Sequence, residues 1–213
     1  MDIYASDEEK AEAIKQWWRD NGRSVVAGVI FGAAAIFGGR YWLGHQQMQA
    51  EQASVIYQQA VVDIAQNEQD KAKTAAQQLM QDYPATAYAV FAALEMAQVA
   101  TENNDYTAAK DYLSWVMEKA ELSSHQELAR LRLARLVFSE GDYEQAMTLV
   151  KASDLDAFQS LFAELEGDIQ LAQGDNAAAH AAYQRAITSV ALGEPRQTFL
   201  QMKLDDVAVA HEG

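Results

Sequence analysis

Small residues recur along this chain at a nearly fixed interval: Ala60, Ala97, Ala134 and Gly167 stand 37, 37 and 33 residues apart. Twelve positions beyond each lies another small residue, Ala72, Ala109, Ala146 and Ala179. Every pair brackets a turn-forming stretch: Asn67-Glu68-Gln69-Asp70, Asn103-Asn104-Asp105-Tyr106, Gly141-Asp142-Tyr143 and Gly174-Asp175-Asn176. Two helices joined by a tight turn approach closely only where their facing side chains lack bulk, and an Asp at the turn caps the second helix. No segment after residue 45 alternates apolar and polar residues as a half-buried strand does. The pattern restricts the chain after that point to a stack of helical hairpins.

The spacing predicts helices over 46–66, 71–82, 86–102, 107–120, 124–140, 143–152, 157–173 and 176–190. Ser124-His125-Gln126-Glu127 reads as a capping box opening the fifth. A ninth helix follows Pro195, with Phe199, Leu200, Met202, Leu204 and Val207 on an apolar side. A repeat stack needs its last exposed face covered, so this helix is expected to be a cap. The pattern resembles the tetratricopeptide repeat. Gly174-Asp175 followed by Ala179, Tyr183 and Ala186 fits the second helix of that repeat, and Pro84 sits twelve residues after Ala72, where the repeat often has proline. No first helix carries the early Trp, so the units are degenerate. The expected fold is all-α: a single N-terminal transmembrane helix, then a four-unit tetratricopeptide-like α-solenoid with a C-terminal capping helix.

The transmembrane expectation rests on residues 24–44. Ser24 to Gly39 is a run of 16 residues without a formal charge, extending to Gly44 if Arg40 snorkels toward the headgroups. At about 1.5 Å per residue the longer stretch measures roughly 31 Å, the thickness of a bilayer's hydrocarbon core. Trp17 and Trp18 precede it and Tyr41 and Trp42 follow it, the placement that membrane interfaces favour. A cleaved signal peptide is the main rival reading. A signal begins with a short basic region, whereas residues 1–23 carry six acids, and Gly38-Gly39-Arg40-Tyr41-Trp42 offers no small-x-small cleavage site. Ser6-Asp7-Glu8-Glu9 reads as a capping box opening a short leader helix toward Trp18.

Orientation follows from the basic residues. Lys10, Lys15, Arg19 and Arg23 precede the span, and no Lys or Arg follows Arg40 until Lys71. The positive-inside bias puts the leader, 1–23, in the cytoplasm and the domain 45–213 on the far side of a bacterial inner membrane, in the periplasm. Gly28 and Gly32 form a GxxxG pair, a candidate membrane-helix contact, although small residues are common in such helices anyway.

Charge narrows the partners. Five of the 16 Lys/Arg and six of the 31 Asp/Glu precede residue 45, leaving 11 against 25 beyond it, a net −14. That sign repels phosphates, so nucleic acid is not an expected partner. With no cysteine, the chain has neither disulfides nor thiolate chemistry. His45, His125, His180 and His211 are scattered, and no nucleophile elbow, phosphate loop or metal-ligand spacing occurs. No catalytic residue, cofactor or metal ligand is assigned, and the chain is not expected to be an enzyme. The densest carboxylates, Glu164, Glu166 and Asp168 with Asp154 and Asp156 nearby, read as a solvated helix face rather than an ion site. A binding groove is the stronger expectation. Carrying the repeat register across the first helices gives Tyr57, Val61 and Ile64; Phe91, Leu94 and Gln98; and Leu128, Leu131, Arg135 and Phe138. These residues line an apolar groove for a client segment, or form the core of a closed stack; the sequence leaves both open.

The acidic leader with its Trp-Trp pair, the Gly/Ala-rich span ending near Arg40-Tyr41-Trp42, the four degenerate units and the C-terminal Leu-Gln-Met-Lys-Leu-Asp-Asp (200–206) together resemble the YfgM family, ancillary subunits of the bacterial Sec translocon. The resemblance covers essentially the whole chain. It implies a single-pass inner-membrane protein with a periplasmic repeat domain. It also implies partners: the SecY-E-G channel, a membrane-anchored periplasmic chaperone of the prolyl-isomerase-like class, and secretory client polypeptides. The implied task is a non-enzymatic scaffold that helps pass secreted proteins from channel to chaperone. The alternative is regulation of an envelope-stress phosphorelay through the cytoplasmic leader.

Overall fold

Only two prolines interrupt the sequence, Pro84 and Pro195, and helix-favouring residues fill the rest. The computed structural model, which describes residues 7–190 and 194–209, accordingly consists of helices joined by short turns, with no strand among those residues. The helices are α1 (Asp7–Ala65), α2 (Gln69–Asp82), α3 (Ala87–Glu102), α4 (Tyr106–Lys119), α5 (Ser123–Ser139), α6 (Tyr143–Lys151), α7 (Gln159–Ala172), α8 (Asn176–Thr188) and α9 (Arg196–Val209). A short 3-10 turn, Asp156–Phe158, precedes α7. Ser6, the first residue of the expected leader capping box, and His211 lie outside the described residues. The chain divides into two units, Met1–Gln49 and Ala50–Gly213.

In the first unit the expected short leader helix and the apolar span are one uninterrupted helix, the N-terminal part of α1. No proline stands there to break it. The helix is long and apolar enough to cross a membrane. Its large side chains face outward, Phe31 being 74% and Tyr41 81% exposed. Gly28 and Gly32 sit in open space, where an added Cβ meets nothing within 4 Å.

The second unit is built from one repeated turn. Asn67, Asn104, Gly141 and Gly174 all have positive φ, between 60° and 86°, the left-handed conformation that Gly and Asn tolerate. At each turn the next N–H reaches back to close the helix: Glu68 to the Asp63 carbonyl, Asp105 to Ala100, Asp142 to Val137 and Asp175 to Gln170, at 2.8–3.2 Å. This is the six-to-one bond of a Schellman motif. Asp105, Asp142 and Asp175 then cap α4, α6 and α8 through their carboxylates, on the N–H groups of Ala108, Gln145 and Ala178. The first turn departs, since Glu68 is the N-cap of α2 and makes no side-chain cap bond.

Packing between the hairpin helices is carried by alanine. Ala60, Ala97, Ala134, Ala72, Ala109, Ala146 and Ala179 are all buried, as the spacing requires. The fourth pair uses Gly167 because the Tyr183 ring lies against it; a Cβ there would meet ring carbons at 2.4 and 2.5 Å. Sixteen residues after the small position stand Ala76, Leu113, Val150 and Tyr183. The bulkiest of these partners faces the only glycine.

The C-terminal helix covers the stack through Leu200 and Val207, both buried, with Leu204 packed beside them. Phe199 and Met202, expected on the same side, are exposed. At 100° per residue, 200, 204 and 207 share a face from which 199 and 202 are turned away. The capping box at Ser124 does not form either. Leu122 is the N-cap of α5 without a side-chain cap bond, which puts Ser124 inside the first turn. Gln126 instead donates to the Ala120 carbonyl at 2.7 Å, and buried Glu127 accepts from Arg130 at 3.1 Å.

Candidate binding groove

The register that aligns the repeats carries Tyr57 onto Leu94, Leu131 and Glu164, and Val61 onto Gln98, Arg135 and Asp168. Residues three apart on a helix share a face. Leu94 and Leu131 stand three before Ala97 and Ala134 and are drawn into the hairpin contact, 7% and 2% exposed. These two expected groove residues are therefore core. Val61 and Phe91 are exposed, and Tyr57, Ile64, Leu128 and Phe138 are half-buried. Phe138 packs on Tyr143 of α6, ring centres 5.7 Å apart.

What remains open falls into two parts. One is a rail of rings joining the first helices of three units. Tyr57 meets Tyr88 at 5.8 Å and Phe91 at 6.1 Å, and Phe91 meets His125 edge-on at 5.6 Å. Tyr88 and His125 are 37 residues apart and so occupy one register position, a signal the counting from Phe91 passed over. Burial, and then the charge of Glu95, raises the Tyr57 pKa and keeps its phenol neutral. The other part is a cavity of about 500 Å³ toward the far ends of α3 and α5. Gln98 and Arg135 line it, and Leu113 of α4 and Leu136 of α5 contribute apolar wall.

At the C-terminal end the same register positions are closed. Glu164 accepts from Arg196 at 2.8 Å and from Lys203 at 2.9 Å. Asp168 takes Lys203 on both oxygens, at 2.7 and 2.9 Å, and accepts the Tyr183 hydroxyl at 2.8 Å. Glu166 pairs with Arg185 at 2.6 Å. Glu164 and Asp168 therefore fasten the cap and Glu166 ties α7 to α8, whereas Asp154 and Asp156 are exposed as a solvated face requires. Burial pushes the Glu164 pKa up, but the hydrogen bonds and charges of Lys203 and Arg196 outweigh it and hold the carboxyl below its ordinary value. For Tyr183, burial first and Asp168 second push the phenol well above its usual range. The basic partners lie 19 to 39 residues downstream, on other helices and beyond any local pattern, which is why sequence periodicity missed them.

A family model described as a tetratricopeptide repeat-like domain matches residues 15–209. Three similar proteins extend over nearly the whole chain. An ancillary SecYEG translocon subunit of Haemophilus influenzae is 34% identical over 201 residues, 94% of this chain and 97% of its own length. A protein of that name from Aggregatibacter actinomycetemcomitans is 31% identical over the same shares. One from Escherichia coli K12 is 28% identical over 212 residues, 98% of this chain and the whole of the relative. The chain belongs to this family. The match to the repeat-like domain begins within α1, ahead of the apolar stretch, and ends in α9.

Proposed function

We propose that the protein is a membrane-anchored, non-enzymatic scaffold at the Sec translocon, linking the channel exit to periplasmic chaperones and assisting the transfer of secreted proteins. The observation that carries this reading is the similarity to ancillary SecYEG translocon subunits along 94–98% of the chain, the apolar helix included. Residues 24–44 are the single inner-membrane span, the leader 1–23 is cytoplasmic, and the repeat domain faces the periplasm. The basic residues before the span and their absence from 41 to 70 support that orientation. Exposed large side chains on α1 support residence in lipid, because water would be a poor solvent for them. Tethering raises the effective concentration of the repeat domain beside the channel, so weak binding suffices. The ring rail and the cavity are the surfaces offered to clients or to a membrane-anchored chaperone of the prolyl-isomerase-like class.

The test is affinity isolation of the full-length protein from membranes in mild detergent, with a photo-crosslinker at Phe91. Co-purification of the SecY-E-G channel and crosslinks to secretory chains or a periplasmic chaperone are expected. Absence of the channel from a folded, membrane-extracted sample would contradict the assignment.

A further inference from the structure

Four of the 11 basic side chains beyond residue 45 make no ion pair among the described residues: Lys73, Arg132, Arg135 and Lys151. Two of the four, Arg132 and Arg135, lie on the wall of one cavity. In a domain carrying −14, exposed guanidiniums have many carboxylates to choose from, yet these two face an opening instead. The floor beneath them is apolar, formed by Ala97, Leu113 and Leu136.

The other polar groups of this wall are already engaged by their own helices. The Thr101 hydroxyl donates to the Ala97 carbonyl at 2.8 Å and the Ser139 hydroxyl to Leu136 at 2.6 Å. Gln98 donates to Glu102 at 2.9 Å, occupying one carboxylate oxygen of the only acid on the wall. What the wall leaves without an ion pair among the described residues is two positive charges over a hydrocarbon floor.

The chain also shows how this register position is filled elsewhere. Asp168 is the fourth-unit counterpart of Arg135, and α9 answers it with Lys203 while burying Leu200 nearby. The third unit inverts the charge, and no segment among the described residues answers it.

We propose that the α3–α5 cavity binds a polypeptide segment in which an acidic side chain stands beside an apolar one. The carboxylate pairs with Arg132 and Arg135, and the apolar side chain enters the pocket over Leu113 and Leu136. Arginine forks suit carboxylates geometrically, and a partly desolvated pair gains more than one in open water. The proposal rests on the reading of the repeat domain as a client- or chaperone-binding surface and gives that surface a chemical preference.

The experiment uses the full-length protein in detergent and three fluorescent peptides of one apolar framework, carrying Glu, Gln or Lys at the variable positions. Anisotropy should show the Glu peptide binding at least tenfold tighter than the Gln peptide, with affinity falling as salt rises. The double variant Arg132→Glu/Arg135→Glu should lose the Glu peptide and gain the Lys peptide; both residues are exposed, so its helical circular dichroism should match the parent. Equal binding of all three peptides, or no change in the variant, would overturn the proposal. So would arginine-dependent binding of anionic phosphatidylglycerol vesicles with none of the Glu peptide, which would make the site a lipid-headgroup contact. Channel co-purification, measured on the same samples, separates the two claims. If the channel is lost while peptide selectivity holds, the translocon assignment fails alone. If the channel is retained without selectivity, this one does.

Discussion

Glycine means opposite things in the two units of this molecule. At Gly28 and Gly32 the space above the backbone is empty and the neighbouring large side chains point away from the chain. At Gly167 the space is filled by Tyr183, and an added Cβ would meet the ring carbons at 2.4 and 2.5 Å. Under the proposed function the difference is one of solvent. Helices 50–209 bury their apolar surface against one another, so their small residues are contact points. The helix before them is long and apolar enough to cross a membrane, and under the proposed function its apolar surface faces lipid, where interfaces between helices rather than the helix itself demand small residues.

The largest effect that sharpens this contrast comes from charging the outward face. Ile30→Asp with Ile36→Asp should cost about 5–7 kcal/mol of insertion, taking about 2.5–3.5 per acid near the helix centre. The protein should leave the membrane pellet on fractionation while the helical signature of its repeat domain persists. Next comes the crowded glycine. Gly167→Ala should destabilise the repeat domain by about 1–3 kcal/mol, the usual cost of overpacking, and lower its melting temperature accordingly. Adding Tyr183→Leu reproduces the Ala97 and Leu113 pairing of the second unit and should recover part of the loss. Gly28→Ala and Gly32→Ala should leave that transition where it is. A melting shift for them as large as that of Gly167→Ala would break the comparison. Smaller again is Asp175→Ala, which removes the α8 cap and should cost about 1 kcal/mol in thermal unfolding.

The smallest effect is pH-dependent and belongs to the C-terminal cap. Glu164 is held below its ordinary pKa of 4.5 when folded, so its contribution is fully present above that value. It is lost as pH falls through the lower folded value. Wild type should therefore exceed Glu164→Gln in stability by a constant margin from pH 7 to 5, and the two should converge as acid is added below 4.5. A margin unchanged down to pH 2 would mean that the pairing with Arg196 and Lys203 does not stabilise the fold.

Much of the fold was legible because it is local. A turn residue at positive φ and, in three of the four turns, an Asp cap seven and eight residues after a small one leave a mark within ten positions of sequence. The limits of the helices from α2 onward followed to within a few residues, but the helix expected over 46–66 is the last part of α1, which runs on unbroken from the apolar stretch. The Gly167 and Tyr183 pairing was visible in spacing but not in meaning, since only the ring's approach explains the glycine. The groove was half legible. Repeat register put Gln98 and Arg135 on one face, and both line one cavity, but it could not tell that Leu94 and Leu131, one turn earlier, roll into the hairpin contact. The fate of Glu164 and Asp168 was hidden because their partners arrive from another helix. Ser124 failed as a cap because the helix starts one residue before it, and patterns of composition locate helix ends only to within a turn.

The claim on which the rest depends is that residues 24–44 remain in the bilayer uncut, with the repeat domain on its outer side. Protease added to sealed spheroplasts, followed by mass measurement of what survives, tests it directly. The account predicts that the repeat domain is digested and that a fragment survives containing the intact leader and the span. Survival of the full-length chain, or a mature protein beginning after Gly39 before any protease is added, would contradict it.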